Sequence, residues 1–410
     1  MGPVTPPALR ILLADADAFY VAVARLVDPE GAGRARLLVV GGSPEHRGVV
    51  TSASYEARAF GVRSAMPMAR AIRLCPEAMV VPVPWEACAE KGREIRAVLE
   101  RFAPVVEQAS SDEFYLDLTG TELLYRGESL TETARRMRDE VHTATALWLS
   151  IGGGTSKLVA KLAAGVAKPA PGAPGAGVHV VAPGDEPEFM RRFRLADLPM
   201  IGPRFQERLA RLGWSAVTDV QPLDRRELVG RLGEREGQWL WERVRGIDDA
   251  PVAAWTDPKS ISRDTTFATD LDGEDDLLRE LLTQVDRATS DLRADGLTAR
   301  TITVKLRDAD FTTRQASRTL SEPVFTDRAV FAVSRALLGK LRAARRVPAR
   351  LIGVALSQLE RLGRETQLSL LEAERARGPE TDKDRSLARA IDAVRERFGL
   401  DALGRARTRG

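Results

Sequence analysis

The chain has 410 residues, 44% of them hydrophobic and 29% charged, with a formal net charge of +3; this is enough for two to four domains with their own cores and gives only a weak leaning toward polyanions. Its only cysteines are Cys75 and Cys88 and its only histidines His46, His142 and His179, which excludes a disulfide framework and a Cys/His zinc site and fits a reducing cytoplasm. No apolar run is long enough to span a bilayer and no signal peptide is evident at the N-terminus, so a cytoplasmic protein without a membrane partner is expected.

Residues 9–15 carry a buried-strand pattern ending in Asp15, and Phe19 to Arg25 continue at helical spacing, so Asp15 and Asp17 fall at a strand-to-helix corner. Catalytic carboxylates favour such corners. Strand patterns recur at Leu37–Val40 and Val49–Val50, the second leading into a helix over 53–61 closed by Gly61. Tyr55 and Arg58 share a face of that helix, either to hold a phosphate or as a packed tyrosine beside a surface arginine. Helices are expected over 65–74 and 87–102, then a strand over 109–118 whose apolar run is interrupted by Asp112-Glu113. If the fold brings the Asp15-Ala16-Asp17 corner to this acidic pair, the two carboxylate groups make a divalent-metal site.

A helix over 130–143 and a strand over 148–151 run into Gly152-Gly153-Gly154 and a further helix over 158–168. A glycine-rich turn before a helix has the outline of a phosphate loop, although the Walker A spacing fails. Lys161 and Lys168, seven residues apart, share one helix face and point at phosphates or at water. The Pro/Gly/Ala-rich stretch 168–177 marks a domain boundary. Beyond it, Leu198-Pro199-Met200-Ile201-Gly202-Pro203 reads as a hairpin between helices, either a backbone N–H grip on phosphate or a plain connection. From Lys259 to Glu360 the order is strand, helix, strand, strand, helix, strand, the split βαβ pattern. On its strand 301–307, Ile302, Val304 and Leu306 take one face and Thr301, Thr303, Lys305 and Arg307 the other. Arg314 and Arg318 share a face of the next strand and extend a basic surface if that face is the open one. The leucine-bearing peptide Gln367–Leu371 and a charged helix over 384–398 close the chain.

Taken together and in order, Asp15-Ala16-Asp17-Ala18-Phe19-Tyr20, residues 53–61, Ser111-Asp112-Glu113, residues 157–169 and Lys259-Ser260-Ile261 resemble the Y-family translesion DNA polymerases, and the DinB (DNA polymerase IV) branch above all, across residues 9–360. The resemblance implies an α+β multidomain right-hand polymerase. Its palm would be 9–26 and 85–175, its fingers 27–84, a helix-hairpin-helix-like thumb 176–245, a linker 246–258, a split βαβ little finger 259–360 and a tail 361–410. It implies that Asp15, Asp112 and Glu113, with the Ala16 backbone carbonyl, are catalytic ligands of two Mg²⁺ ions, which Mn²⁺ can replace. Phe19, Tyr20, Ser52, Tyr55, Arg58 and Lys168 would bind the deoxynucleoside triphosphate, Tyr20 as a steric gate against a 2′-hydroxyl. Ile201, Gly202, Lys305, Arg307 and Arg318 would contact primer-template DNA. Gln367, Leu368, Leu370 and Leu371 would bind a sliding clamp, with Leu371 in the place of an aromatic residue.

The reaction so implied is template-directed addition of deoxynucleotides to a primer 3′-hydroxyl by a monomer, at low fidelity, in damage tolerance. Ala24, Ser111, Met200, Ser262 and Asp264 depart from the family pattern, and Met200 replaces the first glycine of the thumb hairpin. Two rivals are a non-catalytic paralogue acting as a DNA-binding scaffold, which would have lost the carboxylates, and a nucleotidyl cyclase, which has no use for the hairpin or the basic strand. One geometric question stays open: neighbours on a regular strand face opposite ways, so Asp112 and Glu113 serve one site only if the backbone is irregular or the longer Glu reaches around.

Overall fold

The computed structural model describes residues 9–125, 127–170, 175–362, 380–399 and 402–403. It divides into two compact units, Met1–Thr256 and Asp257–Gly410, with the division inside the stretch 246–258.

The first unit opens with β1 (Ile11–Ala16), α1 (Phe19–Val27), β2 (Leu38–Gly41), β3 (Val50–Ala53), α2 (Tyr55–Ala59), α3 (Met68–Leu74) and β4 (Met79–Val81). It continues with α4 (Trp85–Leu99), β5 (Val105–Gln108), β6 (Glu113–Asp117), α5 (Leu130–Thr145), β7 (Leu149–Gly154), α6 (Lys157–Ala167) and β8 (Val178–Val180). Strands β5-β6-β1-β7-β8 form one sheet and β3-β2-β4 a smaller one. Every residue of β1 is buried, because helices cover both faces of the central strand. Leu12 and Ala14 pack with Phe114, Leu116 and Met137 on one side, while Ile11 and Leu13 pack with Ala160 and Ala164 of α6 on the other. Strand β8 pairs with β7, so this sheet runs past the boundary expected at 175.

Two local expectations change. The strand expected over 109–118 is broken: β5 ends at Gln108, β6 begins at Glu113, and Ala109 and Ser110 both donate backbone N–H groups to the Glu113 carbonyl across a turn. The glycines 152–154 are strand residues of β7 and form no phosphate loop. A Cβ on Gly152 would lie 2.0 Å from the Ala164 nitrogen and 2.1 Å from the Ala160 carbonyl, so glycine is needed there for α6 to lie directly on the sheet.

Among the described residues the unit is completed by the α-helices α7 (Glu186–Met190), α8 (Pro203–Arg211), α9 (Val217–Val220), α10 (Arg225–Leu232) and α11 (Glu234–Arg243). They close around Leu209, Trp214, Val220, Leu228 and Leu240.

The second unit contains β9 (Ser260–Leu271), α12 (Glu274–Ala294), β10 (Leu297–Asp308), β11 (Thr313–Val324), α13 (Asp327–Ala344), β12 (Ala349–Arg361) and α14 (Asp382–Phe398). The sheet order β11-β10-β12-β9, with every pair antiparallel, makes two interlocked split βαβ units: β12 lies between the parallel β9 and β10, and β10 between the parallel β11 and β12. Helices α12 and α13 cover one face around Leu281, Val285, Ile302, Val304, Leu306 and Leu338. The end of the tail is held, because α14 docks on the rest of this unit. Arg395 donates to both Asp286 oxygens at 3.2 and 2.8 Å, Arg293 pairs with Asp392, and the buried Glu380 accepts the backbone N–H groups of Phe325 and Thr326. The peptide Gln367, Leu368, Leu370, Leu371 lies outside the described residues.

Candidate active site

The site is built where β1 ends between β6 and β7. Register places Asp15 directly opposite Glu113 on one side and Ser150 on the other, and directly opposed residues of an antiparallel pair project to the same face. Asp112 precedes β6, and its carbonyl accepts the Ala16 N–H at 3.0 Å. Ser110 shapes this turn: its hydroxyl accepts the N–H groups of Asp112 and Glu113 at 3.3 and 3.1 Å and donates to Asp112 Oδ1 at 2.6 Å. The backbone between β5 and β6 is therefore irregular, and the charges of both adjacent acids reach Asp15.

The carboxylates are countered by two lysines of the α6 segment. Lys161 Nζ donates to both oxygens of Glu113 at 2.9 and 2.7 Å. Lys168, just beyond the helix, lies 2.6 Å from Asp15 Oδ2. Asp15 is 7% exposed, and burial pushes its carboxyl up to about 6, opposed by Lys168 and reinforced by the charges of Glu113 and Asp112. Both neighbouring carboxylates thus act on Asp15. Among the described residues no group of three or more His, Cys, Asp and Glu is arranged as a ready-made metal cage, because Asp15 and Glu113 face lysines and Asp112 faces Ser110. The donor set nevertheless suits a hard divalent cation: oxygen ligands whose mutual repulsion needs positive charge between them.

Asp17 is a second acidic centre beside the first. It accepts from the Ser150 hydroxyl at 2.7 Å, and burial raises its pKa against the lowering influence of Ser150, Lys168 and Arg138. The Tyr55 hydroxyl is buried within reach of the Asp17 charge and has no hydrogen-bond partner of acceptable geometry. Burial raises the Tyr55 pKa, and the Asp17 charge adds to the shift. Arg58 lies over the Tyr55 ring at 5.0 Å, donates to the Ala53 carbonyl at 2.9 Å and reaches the buried Ser52 hydroxyl at 3.4 Å. Ser52, Tyr55, Arg58 and Lys168 therefore gather an orphaned hydroxyl and two cations next to the carboxylates.

Tyr20 projects from α1, its hydroxyl 2.8 Å from that of Ser111 and its ring edge-on to Trp85 at 6.1 Å. Phe19 is 1% exposed within the core, so its ring is removed from the nucleotide contacts expected of it and only its backbone remains available.

The expected DNA contacts divide. Ile201 is buried in the helical core, leaving the hairpin backbone, and Gly202 caps α8. Met200 takes φ 72 and is 87% exposed, so the turn keeps its shape with a non-glycine residue held in the left-handed region. Lys305 and Arg307 do lie on the face away from α12 and α13, where Lys305 pairs with Asp264 and Arg307 donates to Thr313. Arg318 does not join them. It pairs in register with Ile302, and Arg314 with Leu306, which places both on the helix-bearing side of edge strand β11. Arg314 is spent on the fully buried Asp308. The open face is instead lined by hydroxyls, with Thr301 bonded to Thr319 at 2.9 Å and Thr303 to Ser317 at 2.8 Å.

From the sequence, Ser111 stands out only as a departure from the family pattern, and Ser110 and the carboxylate partner of Lys161 have no assigned role. The Ser-Ser-Asp run was the available signal for a turn at this point, and the seven-residue spacing of Lys161 and Lys168 was the signal for two cations reaching one acidic cluster.

Comparison with known proteins agrees with this layout. Residues 14–165 match the model of the impB/mucB/samB family, residues 258–370 its C-terminal domain, and residues 196–248 the thumb domain of DNA polymerase-iota. The chain is 38% identical to a DNA polymerase IV of Halorhodospira halophila, over 88% of this chain and 98% of that one. It is 33% identical to a DNA polymerase IV of Dehalococcoides mccartyi, over 97% of both. Among solved structures, a chimeric Y-family DNA polymerase superposes with a TM-score of 0.75 at 24% identity, over 86% of this chain and 99% of that one. DinB from Sulfolobus solfataricus gives 0.56 at 25% identity, over 85% and 98%.

Proposed function

The chain belongs to the Y-family DNA polymerases of the DNA polymerase IV (DinB) type, and from that premise we propose that Asp15, Asp112 and Glu113 are its catalytic carboxylates and that the grouping of Ser52, Tyr55, Arg58 and Lys168 is its triphosphate grip. The protein is a DNA-directed DNA polymerase of translesion synthesis, acting on primer-template DNA and deoxynucleoside triphosphates. The observation that carries the residue assignment is the meeting of Asp15 with Glu113 across β1 and β6, with Asp112 brought alongside by the turn that Ser110 holds.

Y-family polymerases use divalent metal ions, and in our reading Asp15, Asp112, Glu113 and the Ala16 carbonyl hold two Mg²⁺. Bound there, the ions favour ionisation of the primer 3′-hydroxyl and offset charge on the attacking and leaving oxygens. Until then Lys161 and Lys168 offset the negative charge of Glu113 and Asp15. Lys168 and Arg58 then serve the triphosphate, and Tyr55 supplies the hydroxyl that lacks a partner in the structure. Tyr20 stands as the gate under the sugar. The palm is the five-stranded sheet and its helices, the fingers the small sheet with α2 and α3, the thumb α7 to α11, and the little finger the second unit. Its DNA surface is the hydroxyl-lined face bearing Lys305 and Arg307, with the hairpin at Ile201-Gly202 gripping backbone phosphate. Residues 367–371 are a clamp peptide, the enzyme works as a monomer, and Mn²⁺ substitutes for Mg²⁺. No helix among the described residues is long and apolar enough to cross a membrane, in keeping with a cytoplasmic site of action.

The scaffold reading requires lost carboxylates, and all three are in place. Extension of a labelled primer by the full chain with Mg²⁺, on undamaged and lesion-bearing templates, tests the activity. Addition of deoxynucleotides is expected on both, and failure to extend the undamaged template would refute it.

A further inference from the structure

The hydroxyls of Tyr20 and Ser111 lie 2.8 Å apart across a separation of 91 residues, in a partly buried setting. Tyr20 belongs to α1, and Ser111 to the turn that delivers Asp112. The Ser111 hydroxyl also lies 3.5 Å from Asp112 Oδ1. The Tyr20 ring is held edge-on by Phe19 at 5.3 Å and Trp85 at 6.1 Å. The ring also packs against the hydrophobic clusters on either side of α1, and the hydroxyl bond adds a polar tie between the ring and the turn that carries Asp112.

We propose that Ser111 is a specificity-determining positioning residue: by tethering the Tyr20 hydroxyl to the turn that carries Asp112, it locks the sugar gate at a set height above the catalytic carboxylates. The inference rests on the reading of Tyr20 as the gate. A gate rejects a 2′-hydroxyl only as well as it resists being pushed aside, so a ring held by packing alone yields more readily than one that is also tethered. A hydroxyl at residue 111 supplies that resistance without touching the substrate. It also makes gate and turn move together, so that a ribose able to displace Tyr20 would pull Asp112 out of place as well.

Single-nucleotide insertion by the full chain, with matched deoxy- and ribonucleoside triphosphates, gives the ratio of kcat/KM values that reads the gate. Tyr20→Ala is expected to lower the preference for deoxynucleotides most, since it removes the ring. Tyr20→Phe and Ser111→Ala each remove one end of the tether and should each lower it by about threefold to tenfold, the range of a single hydrogen bond. The Tyr20→Phe/Ser111→Ala double variant should match either single one, because all three lack the same bond. Ser111→Thr retains a hydroxyl and should keep the preference, which a merely structural loss at this turn would not predict. If Tyr20→Ala changes the ratio and Ser111→Ala does not, or if the two tether variants multiply in the double variant, the tether is refuted and the gate stands. If Tyr20→Ala leaves the ratio unchanged, the gate reading fails and the inference falls with it.

Discussion

Asp15→Asn exchanges a buried carboxylate for a neutral side chain of the same shape, and the structure predicts opposite effects on activity and stability. The Asp15 side chain is 10% exposed, and burial moves its pKa from 3.8 to about 6, with Lys168 opposing and Glu113 and Asp112 adding to the rise. An acid with a raised folded pKa binds more protons folded than unfolded between the two values. Its stabilising effect is therefore present below about 4, is lost as pH rises, and has gone by the time pH exceeds about 6. A rise of about two units at about 1.4 kcal/mol each makes ionised Asp15 cost about 3 kcal/mol in metal-free protein. Asparagine carries no such cost, and it leaves Lys168 no worse partnered than protonated Asp15 does. Urea unfolding in metal-free buffer at about pH 7.5, followed by a probe in the first unit, should show the variant more stable by up to about 3 kcal/mol, while near pH 4 the two proteins should coincide. Primer extension by the variant should be abolished. A variant less stable than the parent near pH 7.5, or equally stable at both pH values, would refute the account of Asp15 as a carboxylate held ionised against its surroundings.

The strain at Met200 is separable from the grip of the hairpin: Met200→Gly should raise thermal stability by up to about 1 kcal/mol, since the side chain is 87% exposed and little packing is lost; a lower melting temperature would show that the φ of 72 carries no strain. Arg395→Ala removes a 9%-exposed guanidinium from Asp286 and from the Leu403 carbonyl. It should destabilise α14 by about 2 kcal/mol, seen as faster amide exchange over 382–398 with β10 and β12 still protected; unchanged exchange would mean that the helix is held by other contacts.

Much of the site was legible in the chain because its elements obey their periods. The run Ile11-Leu12-Leu13-Ala14 ending in Asp15 reads as the buried strand it is, and Asp112-Glu113 stands out against Phe114, Tyr115 and Leu116. What was not legible depended on partners distant in sequence. Alternation shows that Arg314 and Arg318 share a face, but only the pairing of Arg318 with Ile302 tells which face. Glycines 152–154 suggest a turn to anyone who sees only the chain, whereas their cause is the α6 backbone resting on Gly152. Residues 384–398 read only as a charged helix, yet Arg395 and the nearby Glu380 are buried. The turn before β6 was legible only as an open question: an apolar strand pattern continues through Leu118, and only the Ser-Ser-Asp run marks the break between β5 and β6.

The central claim is that the carboxylates gathered at the end of β1 perform the chemistry and do not hold the DNA. Asp112→Ala tests it most directly, with Mg²⁺-dependent primer extension and primer-template affinity measured on the same preparation. The account predicts extension reduced by at least about a thousandfold, a loss in the range of an essential group in transition-state stabilisation, with DNA affinity within about threefold of the parent, since Asp112 would make no DNA contact. Extension persisting at the parental rate, or lost only in step with DNA affinity, would contradict it.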